Sequence, residues 1–122
     1  MSVYGRKIIL SNNPMVLDRY SGSVPVEGGP CEVLTEALKF LDNGFVLVSH
    51  ALSGSIRLCC NPFRSLVLEP TNGDSLDRER IGVLLDAIDR VDAAVRMRPV
   101  PPDLKPDYAV IDLDLLESQF AG

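Results

Sequence analysis

Gly29-Pro30-Cys31-Glu32-Val33-Leu34-Thr35-Glu36-Ala37-Leu38-Lys39-Phe40-Leu41-Asp42-Asn43-Gly44-Phe45-Val46-Leu47-Val48 holds a helix, its stop signal and a strand in direct succession. Pro30 suits a first helical turn, where its missing N–H is not needed. Val33, Leu34, Ala37, Leu38 and Leu41 recur at helical spacing, while Glu32, Glu36 and Lys39 lie on other faces. Asn43-Gly44 offers the left-handed residue that ends a helix. The continuous apolar run Phe45 to Val48 then reads as a strand covered on both faces.

The same alternation extends in both directions. Upstream, Lys7-Ile8-Ile9-Leu10-Ser11 is a buried strand broken by Asn12-Asn13-Pro14, and Pro14 can open a short helix through Tyr20. Ser23-Val24-Pro25-Val26-Glu27 reads as a second strand. Pro25 has no N–H for a ladder bond, which places this strand at a sheet edge.

Downstream, residues 51–64 show neither period. Ser65-Leu66-Val67-Leu68-Glu69 resumes strand character and Pro70-Thr71-Asn72-Gly73 turns the chain. A long helix follows from near Ser75, with Ile81, Leu84, Leu85, Ile88, Val91 and Val95 as its apolar stripe. Pro99-Val100-Pro101-Pro102 stops it. Tyr108-Ala109-Val110-Ile111 reads as a last short strand, and Asp112 as the cap of a closing helix through Leu113, Leu115, Leu116 and Phe120. Alternating strands and helices over residues 1–122 predict a single α/β domain. The expected form is a three-layer, Rossmann-like fold with a mostly parallel sheet of four or five strands.

Composition narrows the function classes. The 46% hydrophobic share is too high for intrinsic disorder. No apolar run approaches the roughly 20 residues of a membrane span, and Ile8-Ile9-Leu10 is too short for a secretion signal. A cytoplasmic protein is expected. Twelve basic residues lie scattered among seventeen acidic ones, for a net charge of −5. Phosphate backbones and anionic membranes both need clustered cations, so neither nucleic acid nor a membrane is expected as partner. Cys31, Cys59 and Cys60 fit neither a disulfide framework nor a zinc site, and reduced thiols are expected. No metal or cofactor is predicted.

In an open parallel sheet, ligands bind beyond the carboxyl ends of the strands. Three polar segments would emerge there: Ser11-Asn12-Asn13-Pro14, Ser49-His50, and the loop Ser53-Gly54-Ser55 through Asn61-Pro62-Phe63-Arg64-Ser65, and the last strand adds Asp112. Within them Asn12, Asn13, His50, Ser53, Gly54, Ser55 and Arg64 form the candidate ligand site, and each has a plainer role to set beside it. Asn12 and Asn13 can shape a turn. His50 is the only histidine and can serve as a base or as a structural hydrogen-bonding group. Ser53-Gly54-Ser55 can present N–H and hydroxyl groups to an anion, but it lacks the spacing of a nucleotide P-loop. Arg64 can clamp a carboxylate or phosphate, or pair with one of the many acidic side chains. A Ser53/His50/Asp112 triad lacks a Gly-x-Ser-x-Gly elbow. No catalytic residue is assigned.

Ile8-Ile9-Leu10-Ser11-Asn12-Asn13-Pro14, Leu47 to Arg57, Asn61-Pro62-Phe63-Arg64-Ser65 and Ile111-Asp112-Leu113-Asp114-Leu115-Leu116 together resemble the GrdX family. The His50-Ala51-Leu52-Ser53-Gly54-Ser55 core is the most specific part. Ala51 stands where the family is expected to carry proline, and Leu58-Cys59-Cys60 replaces a more polar stretch. The resemblance implies a small uncharacterised protein encoded beside components of glycine, sarcosine and betaine reductases in anaerobic amino-acid fermentation. It assigns no catalytic residues.

Three readings are open at this point. The first is an accessory protein that binds a small anion or amino-acid-like carboxylate. The second is a small enzyme, a hydrolase or phosphoryl-transfer catalyst, using His50. The third is an interaction module for a reductase-complex subunit or for a second copy of the chain, as a homodimer.

Overall fold

The structure, a computed structural model, describes residues 7–48, 60–70 and 78–118, with side chains left aside at 78–80. The described elements are β1 (Ile8–Ser11), α1 (Pro14–Arg19), β2 (Val24–Pro25), α2 (Pro30–Asp42), β3 (Phe45–Leu47), β4 (Ser65–Pro70), α3 (Arg78–Met97), a 3-10 turn (Pro102–Leu104) and α4 (Lys105–Ser118). The strands form one sheet in the order β2-β1-β4-β3. Helices pack on both of its faces.

The strand period of two sorts β1 and β4 between those faces. Leu10, Leu66 and Leu68 point to one side and join Val33, Leu34, Ala37 and Leu41 of α2 with Leu84, Ala87 and Val91 of α3. Ile9 and Val67 point to the other side and meet Val16 of α1, Tyr20, and Leu113 and Leu116 of α4. Each fully buried leucine or valine contributes roughly 1.5–3 kcal/mol through removal from water. The α2 stripe is the one the sequence spacing predicts, with Leu38 partly buried at its margin. Gly44, at φ +88°, supplies the left-handed residue after that helix.

The sheet itself differs from expectation. Only β1 and β2 are parallel; β4 runs antiparallel to both β1 and β3. The mostly parallel, Rossmann-like arrangement is therefore replaced by a small mixed sheet. The apolar run Leu66 to Leu68 is buried on both faces, and such a run looks alike in either direction. Phe45 to Leu47 is an edge strand and only half-buried, against the expectation of full cover. β2 does lie at an edge, as Pro25 requires.

The C-terminal segment is a second correction. Residues 108–111 belong to α4, which runs unbroken from Lys105 to Ser118. Asp112 lies in the middle of that helix, buried to 5% exposure, and does not cap it. In α3, Leu85 is 51% exposed, and Ala87 takes the buried position. No described helix is long and apolar enough to cross a membrane.

Candidate functional site

Where β1 ends and β4 begins, the face toward α4 changes from apolar to polar. Ser11 sits opposite Ser65 in register, on the same side as Ile9 and Val67. Both serines are buried, as are Asn13, Asn61, Arg64 and Asp112. Among the described residues, the buried polar groups thus gather at one end of the two central strands.

Their hydrogen bonds have a fixed direction. Ser65 donates its hydroxyl to Oδ2 of Asp112 at 2.7 Å. The Ser11 and Ser65 hydroxyls lie 2.7 Å apart. A hydroxyl has one hydrogen, and that of Ser65 is committed to Asp112, so Ser11 must donate to Ser65. The backbone N–H of Asn13 then donates to Ser11 Oγ at 2.9 Å. The result is a relay from Asn13 through two serines to one carboxylate oxygen. Such a chain polarises cooperatively in a medium of low dielectric.

Asn13 closes the cluster with its side chain. Its Oδ1 accepts the N–H of Met15 at 3.0 Å and so caps α1. Its Nδ2 donates to Ala109 O at 2.9 Å and to Asp112 Oδ2 at 3.0 Å, tying α4 to the start of α1. Burial pushes the Asp112 carboxyl above the ordinary aspartate range. The hydrogen bonds from Asn13 and Ser65 and the positive charge of Arg64 oppose that shift without cancelling it.

A second asparagine pins the loops. Asn12 Nδ2 donates to Gly28 O at 3.0 Å and to Pro62 O at 2.9 Å. Its Oδ1 accepts the Arg64 N–H at 2.8 Å. One carboxamide therefore joins three segments distant in sequence. Asn61 acts in the same manner, donating to Tyr108 O at 3.0 Å and accepting from Phe63 N at 2.8 Å. Gly28 is a required glycine here. Its φ is +111°, and a Cβ would stand 2.7 Å from Cγ of Glu32.

A family model described as GrdX-like protein matches residues 8–121. The chain belongs to the GrdX-like family. No curated protein and no solved structure matches it. Of the seven candidate site residues, the structure brings Asn12, Asn13 and Arg64 together at the end of β1. Both asparagines bond to the protein's own main chain there, and Arg64 is only 4% exposed. His50, Ser53, Gly54 and Ser55 lie outside the described residues.

Ser11, Asn61, Ser65 and Asp112 belong to the polar segments expected to converge here, but the sequence reading does not single them out as site residues and does not expect Asp112 to be buried within a helix. Two signals pointed to them. Each serine occupies an inward-facing position of an otherwise apolar strand. Asp112 shares a helical stripe with Ala109, Leu113 and Leu116, where a carboxylate must be hydrogen-bonded to be tolerated. Among the described residues, no group of three or more His, Cys, Asp or Glu could hold a metal ion. Burial raises the Cys31 pKa, which disfavours a nucleophilic thiolate.

Proposed function

We propose that this GrdX-like chain is a cytoplasmic accessory protein of a glycine, sarcosine or betaine reductase system, and that it holds a small anion or amino-acid-like carboxylate beside Arg64. Family membership supports the system. The ligand reading is carried by one observation: Arg64, a residue only 4% exposed, stands at the end of the central strands, with its main-chain N–H fixed by Asn12. A cation already oriented by its surroundings loses little freedom on binding a carboxylate or phosphate, and its fork matches both. Asn12 and Asn13 act in this reading as positioning residues. His50, Ser53, Gly54 and Ser55 are the further proposed ligand contacts.

Isothermal titration with glycine, betaine, acetyl phosphate and phosphate tests the ligand. Binding to at least one is expected, with a loss of about tenfold or more in Arg64→Lys, which keeps the charge and removes the fork. No heat with any of the four, or equal affinity in a folded Arg64→Lys variant, refutes it.

A second reading is favoured by α4. Leu104, Val110 and Ile111 are 42%, 44% and 37% exposed around that segment, more apolar surface than one buried stripe requires. In this reading the chain docks on a reductase subunit or on a second copy through α4. Sedimentation of the wild type and of Ile111→Glu, with a pull-down of purified reductase subunits, separates the two. A monomer that captures no subunit removes this reading.

A further inference from the structure

The edge of the sheet formed by β2 offers an interaction surface unrelated to Arg64. Among the described strands, β2 pairs with β1 alone. The N–H of Val26 donates to Ser11 O at 2.9 Å, and this fixes the phase of the strand. Residues 24 and 26 turn their main-chain groups toward β1, so residues 25 and 27 turn theirs to the open edge. The groups presented are the carbonyl of Pro25 and the N–H of Glu27, and no described residue bonds either.

That pair has a directional consequence. In a parallel ladder, one residue of the incoming strand accepts from one N–H and donates to the carbonyl two residues earlier. Glu27 N–H and Pro25 C=O provide this arrangement opposite Val26. An antiparallel partner opposite position 25 would need both an N–H and a C=O from the same residue, and Pro25 has no N–H. The proline therefore disfavours an antiparallel partner centred on position 25 and leaves the parallel pairing opposite Val26 intact. Two-fold pairing of identical edges is antiparallel, so a second copy is the poorer occupant.

Beside this edge runs a groove of about 410 Å³ between Val24-Pro25-Val26-Glu27 and the α2 stripe Glu32, Thr35, Glu36 and Lys39. The four helix positions are spaced 3, 1 and 3 residues apart, so they line one face along the strand. Val24 and Val26 are partly buried against the core and carry apolar surface into the groove. The walls carry three carboxylates against one ammonium, and Lys39 already pairs with Glu36 at 3.3 Å. An occupant that matches brings positive charge at alternate positions.

We propose that this edge and groove bind an extended segment of a partner protein that carries lysine or arginine, added as a strand parallel to β2. The main-chain bonds supply the attachment, and the glutamates of the groove select the side chains.

The probe is a capped peptide of alternating lysine and valine, with a glutamate–valine peptide as control, added to the full chain. Amide shifts in a 15N spectrum are expected at Val24, Val26, Glu27 and Thr35 with the lysine peptide only. The affinity should fall about tenfold or more when salt is raised from low to physiological strength or above. Glu27→Pro deletes an N–H that the described fold does not use, and should abolish binding while the rest of the spectrum persists. Glu36→Lys should weaken it about fivefold or more at low salt, a loss carried by charge alone. Equal binding of the two peptides, no binding of the lysine peptide at millimolar concentration, or unchanged affinity in folded Glu27→Pro overturns the proposal. So does a concentration-dependent dimer that Glu27→Pro dissolves, which assigns the edge to a second copy.

Discussion

The two central strands meet different worlds on their two sides. Leu10 and Leu66, paired in register, enter a dry cluster between α2 and α3. One residue further along, Ser11 and Ser65 turn the other way and enter a hydrogen-bonded cluster beneath α4. The dry side gains stability from area and shape, which are non-directional. The polar side gains little net energy per bond but fixes which groups meet, since any one left unmatched is costly. A single pair of strands thus carries the bulk of the stability on one face and the definition of a site on the other.

The sharpest way to test that division is to damage each side in turn. Leu66→Ala leaves a cavity at a fully buried position and should cost about 3 kcal/mol in chemical denaturation. Asn13→Ala removes the α1 cap and two links to α4 and should cost about 2 kcal/mol. Its effect should be concentrated in α1 and α4, read as lost hydrogen-exchange protection there with α2 and α3 unchanged. Uniform loss of protection in both variants would break the comparison.

Asp112 gives the smallest equilibrium effect and the one with a sign of its own. Its folded pKa is raised above 3.8, chiefly by burial. The folded state therefore binds the proton more readily than the unfolded chain, and stability falls as pH rises from about 3.8 through the folded pKa. This is opposite to the usual paired aspartate. Asp112→Asn can keep the two side-chain bonds from Asn13 and Ser65 on its carbonyl oxygen and should remove that slope. Denaturation from pH 4 to 7 should show wild type losing stability relative to Asp112→Asn as pH rises. A wild type that gains stability over this interval relative to the variant would contradict the burial argument.

Much of the dry side was legible in the sequence, and little of the polar side. The spacing of Val33, Leu34, Ala37 and Leu41 needs no knowledge of the partner, because an amphipathic helix declares its own buried face. Strand direction is different: the run Leu66 to Leu68 is symmetrical in its burial, and only the ladder distinguishes parallel from antiparallel. Residues 108–111 were read as a strand because Tyr-Ala-Val-Ile is a short apolar run that fits either period. Asp112 then interrupted the helical stripe that would have corrected it. The carboxylate is admitted there by Asn13 and Ser65, which lie 99 and 47 residues away. Local patterning does not contain that information. Arg64 meets Asn12 at the end of β1 because β4 runs antiparallel to that strand, and the roles of the asparagines depend on carbonyls supplied by other segments.

Asn12 also bears on the order of events during folding. Its three bonds reach Gly28, Pro62 and Arg64, so the full set cannot close until β1, the turn before α2 and the entry to β4 have all arrived. Contacts of that kind are expected after the rate-limiting step. Asn12→Ala should leave the refolding rate nearly unchanged and accelerate unfolding. The side chain would then act less as a guide to the native state than as a bolt that slides home last, setting how long the molecule stays folded once it is made.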